Sequence, residues 1–210
     1  QKQMDEIELD KIKFYAIEDS DVCFQLVKKL NNKIINDDLY DFYKKVELPL
    51  IPVLASMEFN GVYVDKSMMK KMSLWMKNKI LLLSKEIYKL SQKEFNINSP
   101  KQLAELLFDD IGLKQIKKRS TDVHVLEVLK NNHPLPKIIL EYRTLQKLKS
   151  TYVDSIPELI NIDTSRIHSS FSQTITSTGR LSSSNPNFQN IPIRTKNGKE
   201  IRNAFVPQKK

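Results

Sequence analysis

Over the first 160 positions the apolar residues recur mostly at helical spacing, and only near Arg166 does the spacing fall to two. Val22, Leu26, Leu30 and Ile34 stand four apart, which predicts a short strand or turn and then a helix within 12–35. Asn36-Asp37-Asp38 separates it from a second helical stretch over roughly 39–60. Pro49 and Pro52 predict a kink or restart there, because proline has no N–H for the carbonyl one turn back. Asn60-Gly61 reads as a turn and Val62 to Val64 as a short extended piece. Asp65 is a suitable cap for a long helix reaching about Phe95. Its expected core stripe is Met68, Met72, Trp75, Lys79, Leu82 or Leu83, Glu86 or Ile87, and Leu90. Such a helix, roughly 30 residues, spans about 45 Å.

Ser99-Pro100 predicts a capped helix start with proline in the first turn, Leu103, Leu106 and Leu107 on its apolar side and Gly112 ending it. Ser120-Thr121-Asp122 can cap a helix from about Val123 to Leu129. Pro134-Leu135-Pro136 opens another, to about Ser155, with Tyr142, Leu145, Leu148 and Tyr152 inward. From Arg166 a strand is expected, with Ile167, Phe171 and Ile175 on one face. Asn197-Gly198 is a turn signal, and Ile201 to Val206 reads as partly extended. The expected fold class is α+β, mainly α: a long-helix body followed by a few antiparallel strands.

At 210 residues, 40% hydrophobic and 28% charged, the chain can bury a substantial core. One cysteine, Cys23, excludes an internal disulfide, and with His124, His133 and His168 it makes no zinc-ligand spacing. No apolar run approaches the ~18 residues of a membrane span, and no membrane partner is expected. The chain begins with Gln1 and is expected to be a piece of a longer one.

The formal net charge of +9 is unevenly placed. Residues 1–45 are net −2, residues 46–140 net +5, and residues 141–210 net +6. From Thr164 to Lys199 there is no carboxylate, while Arg166, Arg180, Arg194, Lys196 and Lys199 lie inside that window. Its centre, Thr176 to Arg194, is crowded with hydroxyls and side-chain amides. Composition alone leaves two readings open, an ordinary Ser/Asn/Pro loop and a polyanion-facing surface.

The second has a specific chemistry. A protein that holds any duplex must read what all base pairs share, the minor-groove acceptors at purine N3 and pyrimidine O2. Arg180, Asn187, Gln189 and Asn190 are donors of that kind. Arg143 and Lys147 are i and i+4, with Thr151 a turn further, and suit backbone phosphates, as do Lys117, Lys118, Arg119, Ser120 and Thr121. An ordinary amphipathic helix and a plain surface triplet remain the competing readings of those two groups. Tyr15 and Asp19, also i and i+4, share a face and could hold a metal ion that orients a water, the competing reading being a chance pair on a helix. Without a carboxylate the loop itself cannot hold Mg²⁺ for phosphoryl transfer.

These residues fall in an order that resembles family A DNA polymerases, the DNA polymerase I family. The likeness is carried by Thr178-Gly179-Arg180-Leu181-Ser182-Ser183, Asn185-Pro186-Asn187 and Gln189-Asn190-Ile191-Pro192-Ile193-Arg194. It extends to Glu141-Tyr142-Arg143, Lys147-Leu148-Lys149-Ser150-Thr151-Tyr152, Glu47-Leu48-Pro49-Leu50, Asn60-Gly61 and Ile201-Arg202-Asn203-Ala204-Phe205. The resemblance implies that 1–45 ends a 3′–5′ exonuclease domain, with Tyr15 and Asp19 in its third motif. It makes 46–160 the thumb and 161–210 the start of the palm.

The resemblance further implies that Arg180 meets the minor groove at the primer terminus. Asn187, Gln189 and Asn190 would lie along the primer-template, Arg194 near the junction with the incoming nucleotide's site, and Arg143 and Lys147 on the duplex backbone, while the Thr178 and Thr151 hydroxyls are expected by their chemistry to contact the DNA backbone. The loop between Lys117 and Ser120 is shorter than is usual in the family. The expected partners are primer-template DNA and, for the parent, a dNTP. The expected cofactor is Mg²⁺, held by palm carboxylates beyond Lys210, so no catalytic residue is expected in this segment. A monomer is expected, in a bacterial cytoplasm or nucleoid, or in an organelle matrix. The rival readings are a stand-alone duplex-DNA-binding accessory module and a helical scaffold with incidental charge.

Overall fold

In the computed structural model the described residues are 6–207, so the outermost parts of the first and last expected domains, 1–5 and 208–210, lie outside them. The chain divides into two compact units, 1–57 and 58–210. The fold is α+β and mainly α, with nine α-helices among the described residues and one two-stranded antiparallel sheet.

The first unit opens with α1, Leu9–Asn36. The strand or turn expected from residue 12 is absent. Ion pairs one turn apart, Glu8 to Lys11 at 2.8 Å and Asp10 to Lys13 at 2.7 Å, suit a helical start, and Asp10 sits favourably in the first turn. No residue of α1 is buried among the described residues, so its four-apart apolar positions form no core within the first unit. After α2 (Tyr40–Phe42) comes a π-helical segment, π1 (Tyr43–Glu47), and then α3, Leu48–Asn60. The expected restart thus falls just before Pro49, and Pro52 is accommodated inside α3.

The second unit is built on α4, Lys66–Ser91. The Asp65 carboxylate accepts the Met68 N–H at 3.0 Å, as a cap should. The helix ends at Ser91 and not near Phe95, because Gln92 adopts the left-handed conformation. Its buried stripe is Met69, Met72, Met76, Leu83 and Ile87. The expected stripe was displaced by one position at several turns, and Trp75 and Leu82 stay 47% and 62% exposed.

Against this stripe packs α7, Pro134–Leu148, with Leu135, Ile139, Tyr142, Leu145 and Leu148 buried. It continues through π3 (Lys149–Val153) into α8 (Ser155–Glu158), so the single helix expected to Ser155 is interrupted. Beneath lie α5 (Pro100–Ala104), capped by Ser99, and π2 (Glu105–Asp110), which bury Leu103, Leu106 and Leu107. Gly112 follows with φ +74. α6, Val123–Leu129, is capped by Asp122 through the Val125 N–H at 2.9 Å and packs on α7.

The segment between α3 and α4 ties the helical body to the last fifty residues. Val62 exchanges both backbone hydrogen bonds with Ile167, at 2.8 and 2.9 Å. Val64 forms a bridge with Phe205, and the Asp65 N–H donates to the Ala204 carbonyl at 2.9 Å. Gly61, at φ +63, leaves the room this needs, since a Cβ there would stand 2.8 Å from the Ile167 oxygen. Nearby, His168 Nδ1 lies 2.8 Å from the Glu58 carbonyl and Nε2 lies 2.7 Å from the Thr164 hydroxyl. A carbonyl only accepts, so Nδ1 carries the proton of the neutral ring and Nε2 accepts from Thr164.

The strand expected over 166–175 is divided between two partners. Ile167 pairs with Val62, and only Ser170–Ser172 (β1) pairs with Ser182–Ser184 (β2), in the register 170↔184, 171↔183, 172↔182. Ile175 is 69% exposed and offers no face to bury. The Asn197-Gly198 signal also fails as a turn. Thr195 accepts the Gly198 N–H at 3.1 Å and starts α9, Lys196–Asn203, which takes in Ile201, so the extended part expected over Ile201 to Val206 is confined to the bridge at Phe205. Gly198 lies against Pro192, where a Cβ would come within 2.8 Å of the Pro192 Cβ.

In an ordinary helix alanine is favoured over glycine by about 1 kcal/mol. Gly198→Ala is therefore expected to do the opposite, destabilising by about 1–3 kcal/mol through overpacking against Pro192. Denaturant unfolding beside the neighbouring Lys199→Ala, which should be near neutral, checks the sign.

Candidate nucleic-acid interface

The loop after β1 turns at Gly179, φ +72, with open space where a side chain would project. The backbone carbonyl of Arg180 accepts the Thr176 hydroxyl. After β2 the chain folds back on the hairpin through buried serines. Ser169 shares its one hydroxyl proton between the Ser184 and Pro186 carbonyls, at 3.0 and 2.8 Å. Ser183 donates its N–H to Gln189 Oε1 at 2.8 Å, and its hydroxyl accepts the Phe188 N–H at 3.1 Å. The other end of the Gln189 amide donates to the Leu181 carbonyl.

Three further contacts fasten this loop to the rest of the unit. The Tyr152 hydroxyl, at the end of π3, donates to the Asn190 carbonyl at 2.7 Å. Arg202 donates to the Ile191 carbonyl at 2.9 Å, and the Phe188 and Phe205 rings meet edge to face, 5.4 Å apart. Asn187 accepts the Gln189 and Asn190 N–H groups through its amide oxygen, at 3.0 and 3.2 Å, which leaves its NH₂ for an outside acceptor.

What remains outward is a row of donors. Thr178, Arg180, Asn190 and Arg194 are exposed, and their side chains have no hydrogen-bond or ion-pair partner among the described residues. Gln189 differs: both ends of its amide are already used within the loop.

On α7 and π3, Lys147 and Thr151 are exposed, whereas Arg143 is half-buried and donates to the Thr121 carbonyl at 2.6 Å. Burial pulls the Arg143 guanidinium down from its usual value. Arg143 thereby joins its helix to the 117–121 stretch, in which Thr121 is itself buried. Arg119 grips Asp109 through two bonds of 2.8 and 2.7 Å, and Lys117 lies 3.8 Å from Asp122. Lys118 is exposed and has no hydrogen-bond or ion-pair partner among the described residues. The basic triplet thus contains one arginine engaged by an internal carboxylate.

Tyr15 and Asp19 lie one turn apart on α1, both exposed. Among the described residues no three His, Cys, Asp or Glu groups converge as metal ligands. A pair of Mg²⁺ ions needs several carboxylates, and Asp19 with a phenol beside it does not fit that requirement. Also among the described residues, no helix is long and apolar enough to cross a membrane.

Sequence reasoning passed over the residues that hold the loop: Tyr152, Ser169, Ser183 and Arg202. Tyr152 stood in the apolar stripe of α7, where its hydroxyl was the available clue. The two serines were indistinguishable by sequence from the many exposed ones around them.

A long-helix body joined to an antiparallel hairpin in this way is the arrangement of a polymerase domain. The fold is similar to the POL domain of Pol1 from M. smegmatis, solved in complex with DNA primer-template and dNTP. The TM-score is 0.79 and the identity 37%, over 87% of this chain and 33% of that one. Residues 66–210 match the DNA polymerase family A model, and the chain belongs to that family. It is 46% identical over 193 residues to DNA polymerase I of Synechocystis sp., covering 89% of this chain and 20% of that protein. It is 48% identical over 172 residues to the thermostable DNA polymerase I of Thermus aquaticus, covering 79% of this chain and 21% of that protein. The chain therefore spans about a fifth of the length of the relatives it matches.

The Arg119 guanidinium holds Asp109 below the usual carboxylate range, first by hydrogen bonding and then by charge. Because the folded value lies below the unfolded one, this stabilisation is complete above about pH 4 and disappears as pH falls through the folded value. Denaturant unfolding between about pH 2 and 6 is expected to show a shallower acid-side loss in Asp109→Asn, with Arg119 released.

Proposed function

We propose that the chain is the primer-template-holding part of a DNA-directed DNA polymerase of the DNA polymerase I type, the parent carrying out template-directed nucleotidyl transfer. The observation that carries the reading is the pre-shaped donor row. Arg180, Asn187 and Asn190 face outward from a loop whose backbone is fastened by Tyr152, Ser169, Ser183 and Arg202, with no carboxylate between Thr164 and Lys199. Donors fixed before binding lose little freedom on meeting minor-groove acceptors. Lys147 and Thr151 supply backbone contacts, Arg143 contributes charge from a half-buried site, and Lys118 is the cation of the triplet that has no ion-pair partner among the described residues.

In this reading Gln189 acts by holding the loop's shape. The M. smegmatis structure, with its primer-template and dNTP, supports DNA as the partner. Thumb and palm-start roles for 46–160 and 161–210, and an exonuclease-end role for 1–45, belong to the same proposal. So does Mg²⁺ chemistry supplied by carboxylates elsewhere in the parent. The segment by itself is expected to incorporate no nucleotide.

In the full-length parent, Arg180→Ala is expected to slow extension, most strongly from mismatched ends, by the equivalent of roughly 1–3 kcal/mol. Equal extension kinetics on matched and mismatched primers in variant and wild type would remove the minor-groove role. Arg143→Ala and Lys147→Ala are expected instead to weaken duplex binding at every sequence. Each should lower the slope of log K against log salt by about 1, read from titrations across a salt series.

A further inference from the structure

Two cavities of about 410 and 520 Å³ meet along the exposed side of α4, and Trp75 and Asn197 line both. The first is bounded by α4 and α9 and carries two cations, Lys71 and Lys196, and one carboxylate, Glu200. The second runs on between α4, α6 and α7 towards Arg143 and Lys147, the cations placed above on the duplex backbone. Together they have the size and half-apolar lining of a small-ligand groove.

Three features of the groove need an occupant. Trp75, the only tryptophan in the chain, is 47% exposed although it sits on the helix that builds the core. The Asn197 amide has no hydrogen-bond partner among the described residues, and Thr195 caps the turn in its place. Lys71, Lys147 and Lys196 have no ion-pair partner among the described residues. Glu141 on the same wall is already engaged by Lys79 at 3.3 Å, and the Glu127 carboxylate is engaged by Lys130.

From this juxtaposition we infer that the groove binds an unpaired nucleic-acid strand, with one base stacked on Trp75 and its edge hydrogen-bonded by the Asn197 amide. Lys71 and Lys196 accompany the backbone of that strand, and Lys147 stays with the duplex. Every base has a π face, so an indole serves all of them, and a spread of cations follows the phosphates. A duplex has no free face to offer Trp75. An acidic peptide satisfies the lysines but leaves the amide and the flat ring without matched partners. The inference rests on the DNA-holding reading above and adds to it a site for the strand that is not in the duplex.

The test uses the full-length parent and a fluorescent oligo(dT) bearing one 5-iodouracil. Irradiation is expected to cross-link the oligonucleotide to the peptide containing Trp75. By anisotropy, Trp75→Ala is expected to weaken oligo(dT) binding roughly 5- to 150-fold, the range for one lost base stack, while leaving blunt-duplex affinity unchanged. Trp75→Phe should recover most of the loss. Oligo(dT) affinity unchanged in Trp75→Ala overturns the site, and so does an equal loss on oligo(dT) and duplex. Displacement of the oligonucleotide by polyglutamate at equal charge concentration points to a protein partner and overturns it as well. Arg180→Ala, which lies outside the groove, keeps the two readings apart: unchanged primer extension in that variant counts against the duplex reading alone, whatever happens at Trp75.

Discussion

Everything the candidate interface does depends on a few backbone hydrogen bonds between Gly61 and Asp65. Val62 pairs with Ile167, and the next residues pair with Ala204 and Phe205, so three distant pieces of chain are joined at one short extended segment. The helical body lies on one side of that joint and the hairpin with its loop on the other. Gly61 makes the close approach sterically possible, and Glu58 adds a carbonyl for His168 and a carboxylate for the Phe171 N–H. These bonds, with the shared apolar core around Ile167, Ile191 and Ile201, give α7 and the 187–191 turn a common frame that the Tyr152 to Asn190 bond closes.

The interface shows a division of labour that residue type alone does not reveal. Polar side chains in the acid-free window fall into those that satisfy the protein and those left for a ligand. Ser169, Ser183 and Gln189 belong to the first group, Arg180, Asn190 and Thr178 to the second, and Asn187 has one end in each. The same sorting separates Arg119 and Arg143, which have internal acceptors, from Lys147, which has none among the described residues.

Much of the fold could be read directly from local chemistry. Asp65, Ser99 and Asp122 cap the helices their side chains suggested, because capping is decided within three residues. Leu103, Leu106, Leu107 and the α7 stripe went inward because their spacing already marks one apolar face. What escaped was decided by distant partners. The choice of Met69 and Met76 over Met68 and Trp75 depends on where α7 lies, and the division of the 166–175 strand depends on Val62. Asn197-Gly198 favours a turn by its own chemistry, yet Thr195 and the contact with Pro192 make it a helix start. The donor types of the site were legible for the same reason as the caps. Which of them face outward was not, since that follows from hydrogen bonds between residues that sequence separation does not connect.

Gln189 has one further consequence. Its amide has a donor end and an acceptor end, and in this loop they meet a carbonyl at Leu181 and an N–H at Ser183. Along an extended strand successive N–H and C=O groups point to opposite edges, so a slip of one residue would present neither group to the amide. The side chain thus works as a keyed connector that closes in a single register of the strand. Whatever Arg180 and Asn187 touch, their mutual spacing is set by that key before any partner arrives.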